Sequence, residues 1–330
     1  MQRLILTLFV ALLFIGCSSR QYYTPKNTYS ANKSVAPSVV SFSRDGATLL
    51  GGKAISSKQE LKLKLDEGYA FINTASNVAI TANREGDCRL YISDGSTKDI
   101  KMPKALVAGS VIDNQLVYLL QDNSYGIYDL TQNRIVYNNK AKKALSIDIR
   151  IANPMRVDNL VVIPTLDGKL VVLDLKTHKT LKEIYISTES LLNNVIFLGR
   201  LGDVLIAATP HNVISISNKG RKEFRRAISE VAIDEKSVFV FAKDGLITQL
   251  DESLKILSEK KFKFAHFSHA GVQGDKLYAL DKQGYLIISN KNLTKHKVYK
   301  LPEVEGYGFV SAGKLYYDGH VIDLSKLGYE

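Results

Sequence analysis

The sequence has no Trp, and its 330 residues hold two Cys, Cys17 and Cys88. No vicinal Cys pair exists, and no cluster of Asp, Asn and Glu has the density of a calcium site. There is no Gly-Lys-Ser/Thr phosphate loop and no Gly-x-Ser-x-Gly nucleophile elbow, so the common nucleotide and serine-hydrolase signatures are missing. The six His are scattered. His266 and His269 form the one close pair, and three positions apart on a strand they point to opposite faces, which argues against a shared metal. No helical period of useful length occurs after residue 17, so strands must build the fold.

What is present centres on Asp158 to Leu181. Leu160 to Ile163 is a β-branched apolar run, Asp167-Gly168 is a turn signal, and Lys169 to Asp174 is a second apolar run. Two such runs around Asp-Gly read as a β-hairpin. The unit recurs, with turns placed at 86, 126, 168, 212, 245, 284 and 319, in steps of 40, 42, 44, 33, 39 and 35. A period near 40 with about four strands per repeat is the signature of a β-propeller. The repeated Asp-Gly pairs are read as turns, not as ligands.

The chain begins with Arg3 and an apolar run, Leu4 to Ile15, too short to span a bilayer well. Gly16-Cys17 closes it. A small residue before Cys at the end of such a run resembles a bacterial lipobox, with Phe14 where Leu is usual. The resemblance implies a signal peptide over residues 1–16, cleaved to leave an acylated Cys17. Residues 17–37 then form the lipidated Cys and a polar tether with no apolar period. Ser18 follows the Cys where the inner-membrane retention signal would place Asp. The expectation is therefore an anchor in the outer membrane of a Gram-negative bacterium, facing the periplasm.

From Ser38 the strands start. Val39 to Ser43, Ala47 to Leu50, Lys53 to Ser56 and Leu61 to Leu65 make a first blade around Gly51-Gly52. The last copy, Gly308 to Ser311, Lys314 to Tyr317 and His320 to Leu324, lacks a fourth strand. An N-terminal strand completing it would close the ring and cover its edges. The reading is all-β: one propeller over residues 38–330, with seven four-stranded antiparallel blades and eight as the alternative. With Cys17 lipidated, Cys88 is alone, and it is expected on a buried strand.

The net charge is +11. Removing residues 1–16 takes away only Arg3, so the mature chain stays strongly basic. Many cations fall after each hairpin: Lys179 and Lys182; Arg221, Lys222, Arg225 and Arg226; Lys255, Lys260, Lys261 and Lys263; Lys295, Lys297 and Lys300. In a propeller that segment is the outermost strand, where Lys blocks edge-to-edge pairing. The functional alternative is a basic rim for anionic lipid or an acidic partner. No nucleic-acid motif is present.

The hairpin unit Asp158 to Lys179 resembles the pyrroloquinoline-quinone-type propeller repeat, although the Trp that often ends that repeat is absent. Together with the lipobox it resembles the BamB family of propeller lipoproteins in the outer-membrane β-barrel assembly machinery. The resemblance implies a scaffold that binds protein partners, without cofactor or turnover. A quinone enzyme would need Trp stacking, calcium ligands and often a Cys pair, none of which the sequence offers. The alternatives are a periplasmic quinoprotein-like enzyme or a sugar- or envelope-binding propeller. A convergent channel cluster with shifted pKa values would favour catalysis. An apolar loop face would favour binding. The candidate contact segment is basic and lies between two blades: Lys140, Lys142, Lys143 and Arg150.

Overall fold

A computed structural model describes residues 21–144, 150–188, 193–302 and 304–330. The proposed signal peptide and Cys17 lie outside them. Among the described residues there are eight sheets, not seven, so the blade count is corrected to eight. Blades 1 to 7 occupy residues 39–64, 70–101, 106–140, 155–185, 197–225, 228–261 and 267–300. Blade 8 takes three strands from 308–323 and its fourth, outermost strand from the N-terminus. The shorter count came from the seam, where one blade is divided between the two ends of the chain.

Two N-terminal strands make that closure. The first, β1 (Tyr29–Ser30), runs parallel to the outer strand of blade 7, with Tyr29 opposite Tyr299. The second, β2 (Ser34–Val35), pairs antiparallel with the last strand of blade 8, Ser34 opposite Val321. Upstream, Tyr23 is buried, with its ring edge-on to Tyr285 at 5.6 Å and Phe262 at 6.1 Å. The stretch assigned to a tether from sequence is therefore seated on the ring from Tyr23 to Val35.

Local sequence explains the blades. In blade 4, Val161, Val162 and Ile163 are buried on a strand whose neighbours cover both faces, which suits a continuous β-branched run. Gly168 turns the chain at φ +82°, and a Cβ there would meet the Asn193 backbone oxygen at 2.8 Å. The outer strand, Thr180–Tyr185, is largely exposed. The basic outer strands expected from sequence are in place on blades 4 to 7, at Thr180–Tyr185, Gly220–Arg225, Ile256–Lys261 and His296–Lys300.

One turn position needs correcting. Gly126 is not in a turn but inside the third strand of blade 3, Ser124–Asp129, opposite Tyr118. The Tyr118 hydroxyl lies where a Cβ would stand, 2.5 Å from it, so glycine admits the ring. The turn itself is Gln121-Asp122-Asn123, with Asn123 at φ +66° in the left-handed region that Asn tolerates.

Eight apolar clusters fill the eight seams between neighbouring blades. Val117, Leu119 and Ile127 of blade 3, for example, pack on Val161, Val171 and Leu173 of blade 4. Val39, Leu49 and Ile55 of blade 1 close the ring against Phe309 and Tyr316 of blade 8. Cys88 is buried in the strand Asp87–Ile92, and burial pushes its thiol up to about 12.

Candidate binding site in the central channel

The inner strands of the blades enclose a channel whose cavity is about 1290 Å³. Its wall mixes aromatic side chains (Phe42, Phe197, Tyr307 and Phe309) with charged ones. The cations Arg44, Lys58, Arg150, Lys243 and Lys282 face two carboxylates, Asp45 and Glu230, so the wall is net positive.

The turn Ser43-Arg44-Asp45 of blade 1 reaches across this channel. Arg44 Nη1 donates to Glu230 Oε1 of blade 6 at 2.5 Å, and Nη2 donates to the Val231 carbonyl at 3.0 Å. The Arg44 guanidinium also lies 5.1 Å from the centre of the Phe197 ring of blade 5. Asp45 Oδ2 accepts from Asn153 Nδ2 of blade 4 at 2.7 Å. Asn153 Oδ1 in turn accepts from Gly109 N, and Asn73 Nδ2 donates to the Gly109 carbonyl, each at 2.9 Å. Ser110 Oγ donates to the Pro154 carbonyl at 2.6 Å. A polar girdle thus joins blades 1, 2, 3, 4 and 6 through the middle of the ring. Arg44 and Glu230 keep about a sixth of their side-chain surface exposed, so the pair is largely shielded.

His269 stands beside this cluster, its ring 6.1 Å from Phe42. Burial drives its pKa down, and Arg150 adds to that, while Glu230 and the Gly308 backbone oppose it. Its Nδ1 is buried without a hydrogen-bond partner among the described residues. Burial also raises the Tyr278 phenol, with Glu230 acting in the same direction. His266 lines the same cavity, because a bulge between Phe267 and His269 breaks the simple two-residue alternation. The channel thus holds aromatic surface together with two groups, His269 and Tyr278, shifted first by burial and not by a convergent set of charges.

The four residues expected to make contacts do not form one surface. Lys140 ends the outer strand of blade 3 and pairs with Asp122 at 3.2 Å. Lys142 and Lys143 are exposed just beyond it. Arg150 is at the channel wall, 3.9 Å from Glu230. Lys140, Lys142 and Lys143 thus stand at the rim and Arg150 at the channel wall, near in sequence but apart in space. Sequence reasoning missed Arg44, Asp45, Asn153 and Glu230. The available signal was Arg-Asp-Gly at 44–46, an Asp-Gly turn between the first and second strands of its blade, whereas the recurrent turns join the second and third.

No known family model matches the sequence. Two curated relatives, both named plasminogen-binding protein PgbB and from two strains of Helicobacter pylori, are 26% and 25% identical over 98% of this chain and 71% of theirs. Among solved structures, BamB from Moraxella catarrhalis superposes with a TM-score of 0.65 at 14% identity, over 89% of this chain and 98% of its own. The C-terminal WD40 domain of Sif2 gives 0.67 at 12% identity, over 90% and 99%. The chain is thus a β-propeller of BamB-like form, similar in sequence to proteins named for binding a partner.

Proposed function

We propose that this propeller is a binding scaffold of the bacterial envelope, not an enzyme, held at the outer membrane by acyl chains on Cys17 and facing the periplasm. The observation that carries the reading is the likeness to plasminogen-binding proteins over 98% of the chain, the whole ring included. The structure adds support. Glu230 Oε1 is held by Arg44 and by the Val231 amide, a structural use of the carboxylate that ties blade 1 to blade 6.

Plasminogen is the first partner to test, and a component of the β-barrel assembly machinery is the second. Rigid blades presenting loops suit either role. Immobilised protein should bind purified plasminogen saturably, and Lys142→Glu/Lys143→Glu should weaken capture without changing the melting temperature. Absence of binding removes plasminogen, and unchanged capture by the variant removes that segment. Reduction of a dye in a quinone-dependent manner by the purified protein would overturn the scaffold reading. The anchor is tested separately: Cys17→Ala should move the protein from the detergent phase to the aqueous phase. A second reading, small-ligand binding in the channel, draws on the unpartnered His269 Nδ1.

A further inference from the structure

A second, smaller cavity of about 360 Å³ lies far from the channel, between the N-terminal segment and the outer edges of blades 6 and 7. One wall is Tyr23 to Asn27 with Tyr29; the other is Lys260 to Lys263 with His296 to Val298. Five lysines line it, Lys26, Lys260, Lys261, Lys263 and Lys297, and no carboxylate does. Of the five, Lys261 is paired with an acid, while Glu330 is held by a lysine outside the lining. Asp244 pairs with Lys261 at 2.6 Å, and Glu330 pairs with Lys295 at 2.7 Å while lying close enough to feel Lys297. Among the described residues Lys26, Lys260, Lys263 and Lys297 have no carboxylate partner, whereas the rim of blades 4 and 5 carries Glu183 and Glu223 on Lys169 and Arg221.

Lys263 and Lys297 are held over the rings of Phe264 and Tyr29 at 4.9 and 5.0 Å, which keeps their ammonium groups at the cleft. Tyr22 and Tyr29 are about half exposed beside it, and such amphipathic rings suit the headgroup layer of a bilayer. Position matters as well. Tyr23 is fixed in the core, so only a few residues separate it from Cys17, a reach of about 20 Å when fully extended.

We propose that this cleft is a docking surface for the phosphate groups of anionic lipids, and that it seats the rim of blades 6 and 7 on the membrane. The distance argument rests on the anchor proposed above; the charge argument does not. Lysines packed without acids bind an anionic surface at about 1 kcal/mol each, which is roughly fivefold per lysine.

The test uses the chain from Ser18, which carries every described strand as well as Tyr23, so that acylation plays no part. It is sedimented with phosphatidylcholine vesicles, with and without phosphatidylglycerol, at about 0.1 M salt. Binding is expected to the anionic vesicles alone. Lys26→Gln/Lys260→Gln/Lys263→Gln should weaken it about a hundredfold, as three such lysines imply. Lys179→Gln/Lys182→Gln/Lys222→Gln, at the outer edges of blades 4 and 5 and outside the cleft, should leave it unchanged. Should the cleft triple variant melt lower, the exposed Lys263→Gln alone should still give about a fivefold loss. Equal binding to neutral vesicles, no loss in the cleft variants, or equal loss in both triples would overturn the proposal. So would calorimetric binding of inorganic phosphate at the cleft with no binding to vesicles. A failed anchor would appear only in the Cys17→Ala partition, so the two claims fail separately.

Discussion

Replacing Arg44 with Ala tests whether the blade 1 turn ties the ring together across its centre. The side chain makes three interactions that Ala cannot: the 2.5 Å ion pair with Glu230, the 3.0 Å bond to the Val231 carbonyl, and the ring contact with Phe197. A hydrogen bond involving a charged group contributes about 1.5–3 kcal/mol, and a partly shielded cation over a ring about 0.5–1 kcal/mol. Glu230 keeps the Val231 amide and has Arg150 at 3.9 Å, so it is not stranded, and the full penalty of an orphaned buried charge does not apply. The expected loss is therefore about 2–4 kcal/mol. Chemical denaturation should show it as a lower midpoint with an unchanged slope. A double-mutant cycle with Glu230→Gln should return a coupling of about 1–2 kcal/mol, because the partners lie 186 positions apart yet in direct contact. A coupling within about 0.3 kcal/mol of zero would refute the claim that the turn spans the channel.

Other outcomes follow from burial and titration. Val161 is fully buried in the seam between blades 3 and 4, so Val161→Asp should cost more than about 4 kcal/mol, and a melting temperature equal to the parent's would contradict its placement. His211, His269 and His296 all have pKa values lowered first by burial. Between the unfolded value of about 6.5 and the lower folded values the unfolded chain binds more protons, so stability is full above about pH 6.5 and falls as pH drops through that window. Melting should be lower at about pH 5.5 than at about pH 7.5, and His269→Gln should flatten the slope; a flat profile in the parent would count against the buried imidazoles.

Much of the ring was legible because each hairpin repeats one local instruction: an apolar run, a turn residue able to take positive φ, and a second run. Lys53–Ser56, Gly308–Ser311 and Lys314–Tyr317 appear with the bounds read from sequence. The fourth strand of blade 8 was expected from the N-terminus, and β2 supplies it. The count missed because a two-residue strand such as Ser34–Val35, one side chain of which is 91% exposed, carries no hydrophobic period. Asn123 took a glycine's place in a turn, while Gly126, in a strand, imitated one. The channel was illegible for another reason. Arg44, Asn153 and Glu230 meet through tertiary closure, and nothing within a few residues of each reports the others. Of the basic residues read from Lys140 to Arg150, Lys140 stands at the rim and Arg150 at the channel wall, a separation that their spacing in sequence does not report.

The strand β2 carries a further consequence, for the order of manufacture. It is among the first parts of the ring to be synthesised, and its mates, His320 and Val321, are among the last. Until they arrive, blade 8 lacks both its last strand and the seat for β2, and exposed strand edges invite misassembly and digestion. Closure therefore acts as a proof of completeness. A product that stops before His320 cannot hide the edge of blade 8, while one that reaches Asp323 locks β2, one of the first strands made, onto the last.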